Sequence, residues 1–394
     1  MNNHILLLTK DALCKEYLPI YGNRFWAGKT PNIDELAAKG TVFNRHYTAA
    51  PSTVMAFRSM VTGQFAHEQP YAKYLPKEVE SEPTDLFEIA KARGYEGHLI
   101  WDSAWVKMVL RFGNCYGKNT IIHNMDDIRQ GVGCHYKHEG KLVCDDDKTK
   151  LTIDRITKEV EDIINNTEKA FVWMHLPHVI NGRTSYGGDI DVFDEIVGRM
   201  RQIFDDNNIF ISADHGNMNG HKGKYCYGFD VNTSAIEIPL ITPRIAGLAA
   251  CYDITSNVDI KALIFERRIT SREVIFSDTA YYAQPHRKLA IVKGNFSFIY
   301  NKASDTEELY DLENDRDERV NLLKTVGYDT DRKLTSPIRE YYYSPYWEQT
   351  EEIVQSFRSI KNSIWRVGTW KEEQKAKYLR KVKDMAVKII VKFK

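Results

Sequence analysis

The feature that most constrains this chain is an alternation, over its first two-thirds, of short apolar runs with amphipathic helical patterns. Ile5–Leu8, His98–Trp101, Ala170–Met174 and Ile209–Ser212 read as buried strands. Helices are predicted over Thr30–Ala38, Val54–Val61, Leu86–Arg93, Ile153–Ile164 and Val192–Phe204, with Gly40, Gly63 and Gly94 as stops for the first three. Strands and helices in this order imply an α/β fold with a largely parallel central sheet sandwiched by helices. Residues with chemistry to perform should then stand at the C-terminal ends of the strands. Lys288–Leu312 alternates as antiparallel strands do. The expected organisation is an α/β domain over 1–287, a small antiparallel subdomain over 288–330 and a basic helical tail over 331–394. Cys115–Lys150 is polar and reads as an irregular insertion.

Charge and cysteine content narrow the classes. Lys+Arg and Asp+Glu are both 54, so no global field argues for nucleic acid. The six cysteines form no CxxC pair. The opening MNNHILLLTKDAL has no basic n-region, long apolar core or small-residue cleavage site. The expectation is therefore a cytoplasmic protein with free thiols. No stretch has the apolar length of a membrane span. Lys371–Lys394 carries nine Lys or Arg against three acids, with Leu379, Val382, Ile389, Ile390 and Phe393 at helical spacing. That pattern is a basic amphipathic helix, either packed on its own domain or in peripheral contact with an anionic membrane such as the inner membrane surface.

Several places carry candidate chemistry. Asp11 follows the first apolar run, where a carboxylate binds a metal or caps a helix. Asp214-His215-Gly216 follows another strand and pairs an oxygen with an imidazole donor, a mix suited to zinc, manganese or iron. Gly216 would let the backbone turn sharply after the ligands. Thr53 opens a helix. Its hydroxyl reads as an N-cap, or as a group placed where helix N–H donors attract a phosphate and a bound metal lowers its pKa. His175 and His178, in Met174-His175-Leu176-Pro177-His178, also follow a strand. They would bind a phosphate, assist a leaving group or help hold a second metal. Arg58 is one turn into the Thr53 helix, either as a bidentate phosphate ligand or as a surface residue. Cys134, His135, His138 and Cys144 match no structural zinc spacing closely.

Thr30-Pro31-Asn32-Ile33-Asp34-Glu35-Leu36-Ala37-Ala38-Lys39-Gly40-Thr41-Val42-Phe43 resembles the TPN-x-D-x-LA-x-xG-x-x-F segment of sulfatase-like proteins of the alkaline phosphatase superfamily. Tyr47–Pro51, Thr62-Gly63, the DHG at 214–216, Ile238-Pro239-Leu240-Ile241 and Glu308–Asp315 continue the likeness in order, over roughly residues 4–323. The resemblance implies that Asp11, Thr53, Asp214 and His215 bind a divalent metal, zinc or manganese, as one or two ions. It implies Thr53 as nucleophile, counted back from Thr62-Gly63, and His221 and Lys224 as groups that touch the ester. In related transferases a histidine in the His175–His178 region contacts substrate. The chain departs from sulfatases at Thr53-Val54-Met55-Ala56-Phe57, where their C/S-x-P-S-R signature is converted to formylglycine, and at Ala12, where they have a second Asp. Their site ends in Asp-Asn, here Asp214-His215. These departures point to threonine-dependent phosphodiesterases and phosphoethanolamine or phosphoglycerol transferases.

The expected function is metal-dependent hydrolysis of phosphomonoesters or phosphodiesters through a phosphothreonine, on small-molecule or glycan- or lipid-linked esters. The alternatives are transfer to a bacterial glycan or lipid acceptor, a true sulfatase, and an inactive binding protein of the same fold.

Overall fold

A computed structural model describes residues 3–22, 29–69, 85–101, 120–124, 137–138, 141–142, 146–176, 186–224, 227–279, 287–325 and 345–364. His178, Cys134, His135, Cys144 and the basic segment 371–394 lie outside these residues, as does the side chain of His138.

The first strand, β1 (Ile5–Lys10), is buried along its whole length. Its alternate residues serve two cores: Leu6 and Leu8 face one, Ile5 and Leu7 the other. A strand covered on both faces belongs in the middle of a parallel sheet. In chain order the other strands are β2 (Thr41–Phe43), β3 (His46–Tyr47), β4 (Glu96–Trp101), β5 (Thr120–Asn124), β6 (Lys137–His138), β7 (Lys141–Leu142), β8 (Ala170–Leu176), β9 (Ile209–Ala213), β10 (Leu240–Thr242), β11 (Ala250–Cys251) and β12 (Thr255–Ser256). Among the described residues, the main sheet has eight strands in the order β11-β2-β10-β9-β1-β8-β4-β5. β1 pairs in parallel with β8 on one side and β9 on the other, while β10 is antiparallel to both its neighbours. β3 pairs with β12, and β6 with β7.

Helices cover both faces. Pro31–Lys39, Asp146–Asn166 and Tyr186–Ile203 bury Ile33, Ile156, Val160, Ile196 and Met200 in one core. Thr53–Thr62, Leu86–Ala92 and Ile260–Glu266 bury Val54, Phe57, Phe87 and Leu263 in the other. Thr30 does not cap the Pro31–Lys39 helix. Asp194 does so from the neighbouring helix, accepting the Ile33 N–H at 2.9 Å.

A four-stranded antiparallel sheet follows: β13 (Val274–Asp278), β14 (Lys288–Lys293), β15 (Phe296–Asn301) and β16 (Thr306–Asp311). It starts upstream of residue 288 because β13 completes its edge. The Pro345–Ile364 helix packs on this sheet through Val354 and Phe357, with Phe357 stacked on Phe298 at 5.5 Å. Among the described residues, no helix is long and apolar enough to cross a membrane.

Candidate metal centre

Three strand ends converge. Asp11 immediately follows β1, Asp214 immediately follows β9, and His175 lies one residue before the end of β8. Ala12 has φ +56°, a left-handed conformation uncommon for a residue with a side chain. Its N–H donates to Asp214 Oδ1 at 3.1 Å. The His215 N–H donates to the same oxygen at 2.8 Å. Asp214 Oδ2 and Asp11 Oδ1 are both buried without a hydrogen-bond partner.

His215 completes the group. Its Nδ1 lies 2.8 Å from the Gly216 carbonyl, which only accepts, so the neutral ring carries its proton there. The Nε2 lone pair then faces inward, 3.5 Å from Asp11 Oδ1, 3.4 Å from Asp214 Oδ2 and 3.2 Å from Thr53 Oγ1. Ligand atoms of Asp11, Asp214 and His215 all lie within 4.8 Å of one another. Two unpartnered carboxylate oxygens and an imidazole lone pair repel when gathered in a buried site, and a cation removes that penalty. Separations of 3.4 and 3.5 Å also suit neighbouring ligands each about 2.0–2.2 Å from one ion. The residues therefore fit a divalent metal.

Gly216 is required for a different reason from the one its place in the sequence suggests. Its φ is not positive. A Cβ there would sit 2.1 Å from the Ser234 carbonyl oxygen. Close approach of two backbones, rather than a sharp turn, demands glycine.

Thr53 is the first residue of its helix, not the cap. The cap position is Ser52, which makes no side-chain capping bond, and its buried Oγ has no partner. Neither hydroxyl closes the helix N-terminus, so its first N–H groups have no side-chain cap and suit an anion. Phe57, at the place of the signature arginine, is held between Trp101 and Trp173 at ring separations of 4.1 and 4.2 Å. Its ring fills the core beneath the site.

His175 is fully buried, and burial pushes its imidazolium pKa down, partly offset by Asp214. Its Nε2 stands 3.9 Å from Asp214 Oδ2. Of the other sequence candidates, Arg58 is buried and its Nε–H donates to Gln69 Oε1. His221 turns Nε2 to within 4.0 Å of buried Glu318, and burial lowers its pKa. Lys224 is ion-paired with Asp230, which also binds Lys288 at 2.8 Å. The structure thus brings Asp11, Thr53, His175, Asp214 and His215 together, engages Arg58 with Gln69 and Lys224 with Asp230, and leaves His221 Nε2 without a hydrogen-bond partner. It adds two features that sequence reasoning missed. Tyr227 lies over the His215 ring at 4.5 Å, and Thr9 and Trp173 sit behind His175. No motif marks either.

The comparisons agree with this frame. Residues 3–179 match the family model described as Sulfatase. No curated protein matches the chain in sequence. Among solved structures, a 2-O GAG sulfatase is similar at TM-score 0.66 and 12% identity, covering 94% of both chains. The phosphonate monoester hydrolase of Agrobacterium radiobacter aligns at TM-score 0.63 and 14% identity, over 91% of this chain and 95% of that one. A protein solved with its substrate D-glucosamine-2-N,6-O-disulfate gives 0.63 and 14%, over 94% and 99%. At these identities the likeness shows the fold, which is shared by sulfatases and phosphonate monoester hydrolases.

Proposed function

We propose that the protein is a metal-dependent phosphoester hydrolase that works through a phosphothreonine at Thr53. The observation that carries this reading is the 3.2 Å approach of Thr53 Oγ1 to His215 Nε2, beside the unpartnered oxygens of Asp11 and Asp214. A divalent ion held by Asp11, Asp214 and His215, with Thr53 as a further donor, would lower the pKa of the hydroxyl and add positive charge beside the phosphoryl group. Thr53 Oγ attacks phosphorus as the leaving oxygen departs. The uncapped helix N-terminus favours the non-bridging oxygens. His175 is the candidate donor to the leaving group or a phosphoryl oxygen. Water then attacks phosphorus and breaks the Thr53 Oγ–P bond, releasing phosphate from a monoester substrate or a phosphomonoester from a diester.

The substrate class is a small-molecule or glycan- or lipid-linked phosphate ester. The similar folds of a phosphonate monoester hydrolase and of sulfatases that act on glycans support that range. A second reading, transfer of the phosphoryl-linked group to a glycan or lipid acceptor, is favoured by the basic segment 371–394, which would keep a cytoplasmic enzyme at an anionic surface.

The test is a single turnover with an aryl phosphodiester, quenched and digested. A Thr53 peptide carrying the phosphoryl group with its remaining aryl ester is expected, and adding an acceptor alcohol separates hydrolysis from transfer. Turnover by Thr53→Ala near the wild-type rate would sink the reading.

A further inference from the structure

Two buried histidines stand beside the carboxylates, and their surroundings treat their protons differently. His215 spends its Nδ1–H on the Gly216 carbonyl and turns a lone pair to the site. The His175 ring is set edge-on against Phe57, at 4.7 Å and 81°, and Trp101, at 5.3 Å and 86°. These contacts leave its two nitrogens with distinct neighbours. Nδ1 lies 2.9 Å from Thr9 Oγ1, and Nε2 lies 3.9 Å from the unpartnered Asp214 Oδ2.

Thr9 decides which nitrogen holds the proton. Its oxygen receives the Trp173 indole N–H at 2.9 Å, and an indole N–H can only donate. One hydroxyl hydrogen remains. The acceptors within reach are His175 Nδ1 at 2.9 Å and the Met174 carbonyl at 3.5 Å, the outer limit of a hydrogen bond. The shorter contact takes it. With Nδ1 accepting, a neutral imidazole must carry its proton on Nε2.

We propose that Thr9, backed by Trp173, is a positioning residue that commits His175 to the Nε2–H tautomer, so that His175 enters the site as a hydrogen-bond donor and not as a metal ligand. Trp173 donates to Thr9, Thr9 donates to Nδ1, and Nε2–H points towards Asp214 and the space beside it. A donor there serves a phosphoryl or leaving-group oxygen. This consequence for turnover rests on the proposed phosphoester chemistry, whereas the tautomer does not.

The experiment uses full-length, zinc-loaded protein labelled with ¹⁵N-histidine. Long-range ¹H–¹⁵N correlation reads the tautomer of each ring, and the His175 signals are those lost in His175→Gln. The Nε2–H pattern is expected for His175. In Thr9→Val that preference should disappear. The kcat on an aryl phosphodiester should fall roughly 10- to 100-fold, part of the ~10²–10⁴ that a positioned acid supplies. KM and zinc content should not change, and Thr9→Ser should restore both the pattern and kcat. An Nδ1–H pattern in the wild-type protein overturns the proposal, and so does a Thr9→Val protein that keeps the wild-type pattern and kcat. The wild-type spectrum decides even where Thr9→Val fails to fold. Continued turnover by Thr53→Ala would remove the phosphothreonine reading and leave the tautomer result standing.

Discussion

Asp11 Oδ1 lies 3.5 Å from His215 Nε2, and that oxygen has no hydrogen-bond partner although it is buried. The site is therefore costly without a cation. Removing metal with a chelator should lower the thermal midpoint, and zinc or manganese should restore it. At a free metal concentration a hundredfold above Kd, binding contributes ~2.7 kcal/mol to stability. Asp214→Asn and His215→Ala should each reduce both the bound metal and this stabilisation. Full metal content in both variants, by elemental analysis, would show that the ion binds elsewhere.

Thr53→Ala should abolish turnover at little cost to the fold. Losing a capping hydroxyl typically costs about 1 kcal/mol. Thr53 does not cap its helix, and its Oγ1 faces His215 instead. Denaturant unfolding of the metal-free variant should therefore differ from wild type by less than that ~1 kcal/mol. A larger loss would mean that the hydroxyl has a structural task.

The parts of this site that sequence reading reached are those tied to strand ends. Residues 5–8 and 209–211 are unbroken apolar runs, so the positions of Asp11 and Asp214 a few residues beyond them followed from the pattern. The strand–helix alternation likewise anticipated the parallel core of the sheet. The short strands escaped it. Thr41–Phe43 and Ala250–Cys251 are three and two residues long, below the length at which alternation is readable. The shell behind His175 was invisible for another reason. Thr9 meets His175 and the Trp173 indole only because β1 and β8 pair in register, Thr9 opposite His175, and no local pattern encodes that pairing. Thr53 was ambiguous because N-caps and nucleophiles favour the same hydroxyl residues. Only its place inside the helix, without a capping bond, separates the two roles.

His46 gives a pH dependence whose sign follows from its burial. The ring is fully enclosed, Nδ1 is 3.0 Å from Thr255 Oγ1, and Nε2 has no partner. Burial, with Lys15 adding to it, pushes the imidazolium pKa from 6.5 down to about 3. Between these values the unfolded chain binds a proton that the folded chain refuses. Stability should be unaffected by this group above pH 6.5 and fall as pH drops from there towards about 3. Its slope should approach ~1.4 kcal/mol per pH unit once the unfolded-state histidine is protonated. His46→Gln should remove one proton's worth of slope from denaturation curves measured across that range. An unchanged slope would show that His46 takes up its proton in the folded state as readily as in the unfolded one.

On the proposed mechanism, a preference for phosphate over sulfate esters is expected from the chemistry open to threonine. A sulfatase formylglycine carries a second hydroxyl that can expel sulfate from the carbon, regenerating an aldehyde. Thr53 has one hydroxyl and no such route, so a sulfothreonine would have to be cleaved at sulfur by water. A phosphothreonine, by contrast, is open to in-line attack at phosphorus by water or an acceptor. Phe57, stacked between Trp101 and Trp173, contributes no charge to the site. Comparing kcat/KM for 4-nitrophenyl phosphate, bis(4-nitrophenyl) phosphate and 4-nitrophenyl sulfate on zinc- and manganese-loaded protein tests the point. At least one phosphate ester should exceed the sulfate ester by at least about tenfold, a barrier difference of ~1.4 kcal/mol. Faster turnover of the sulfate than of either phosphate would overturn the threonine mechanism, and finding no phosphopeptide at Thr53 in the same samples would confirm that failure independently.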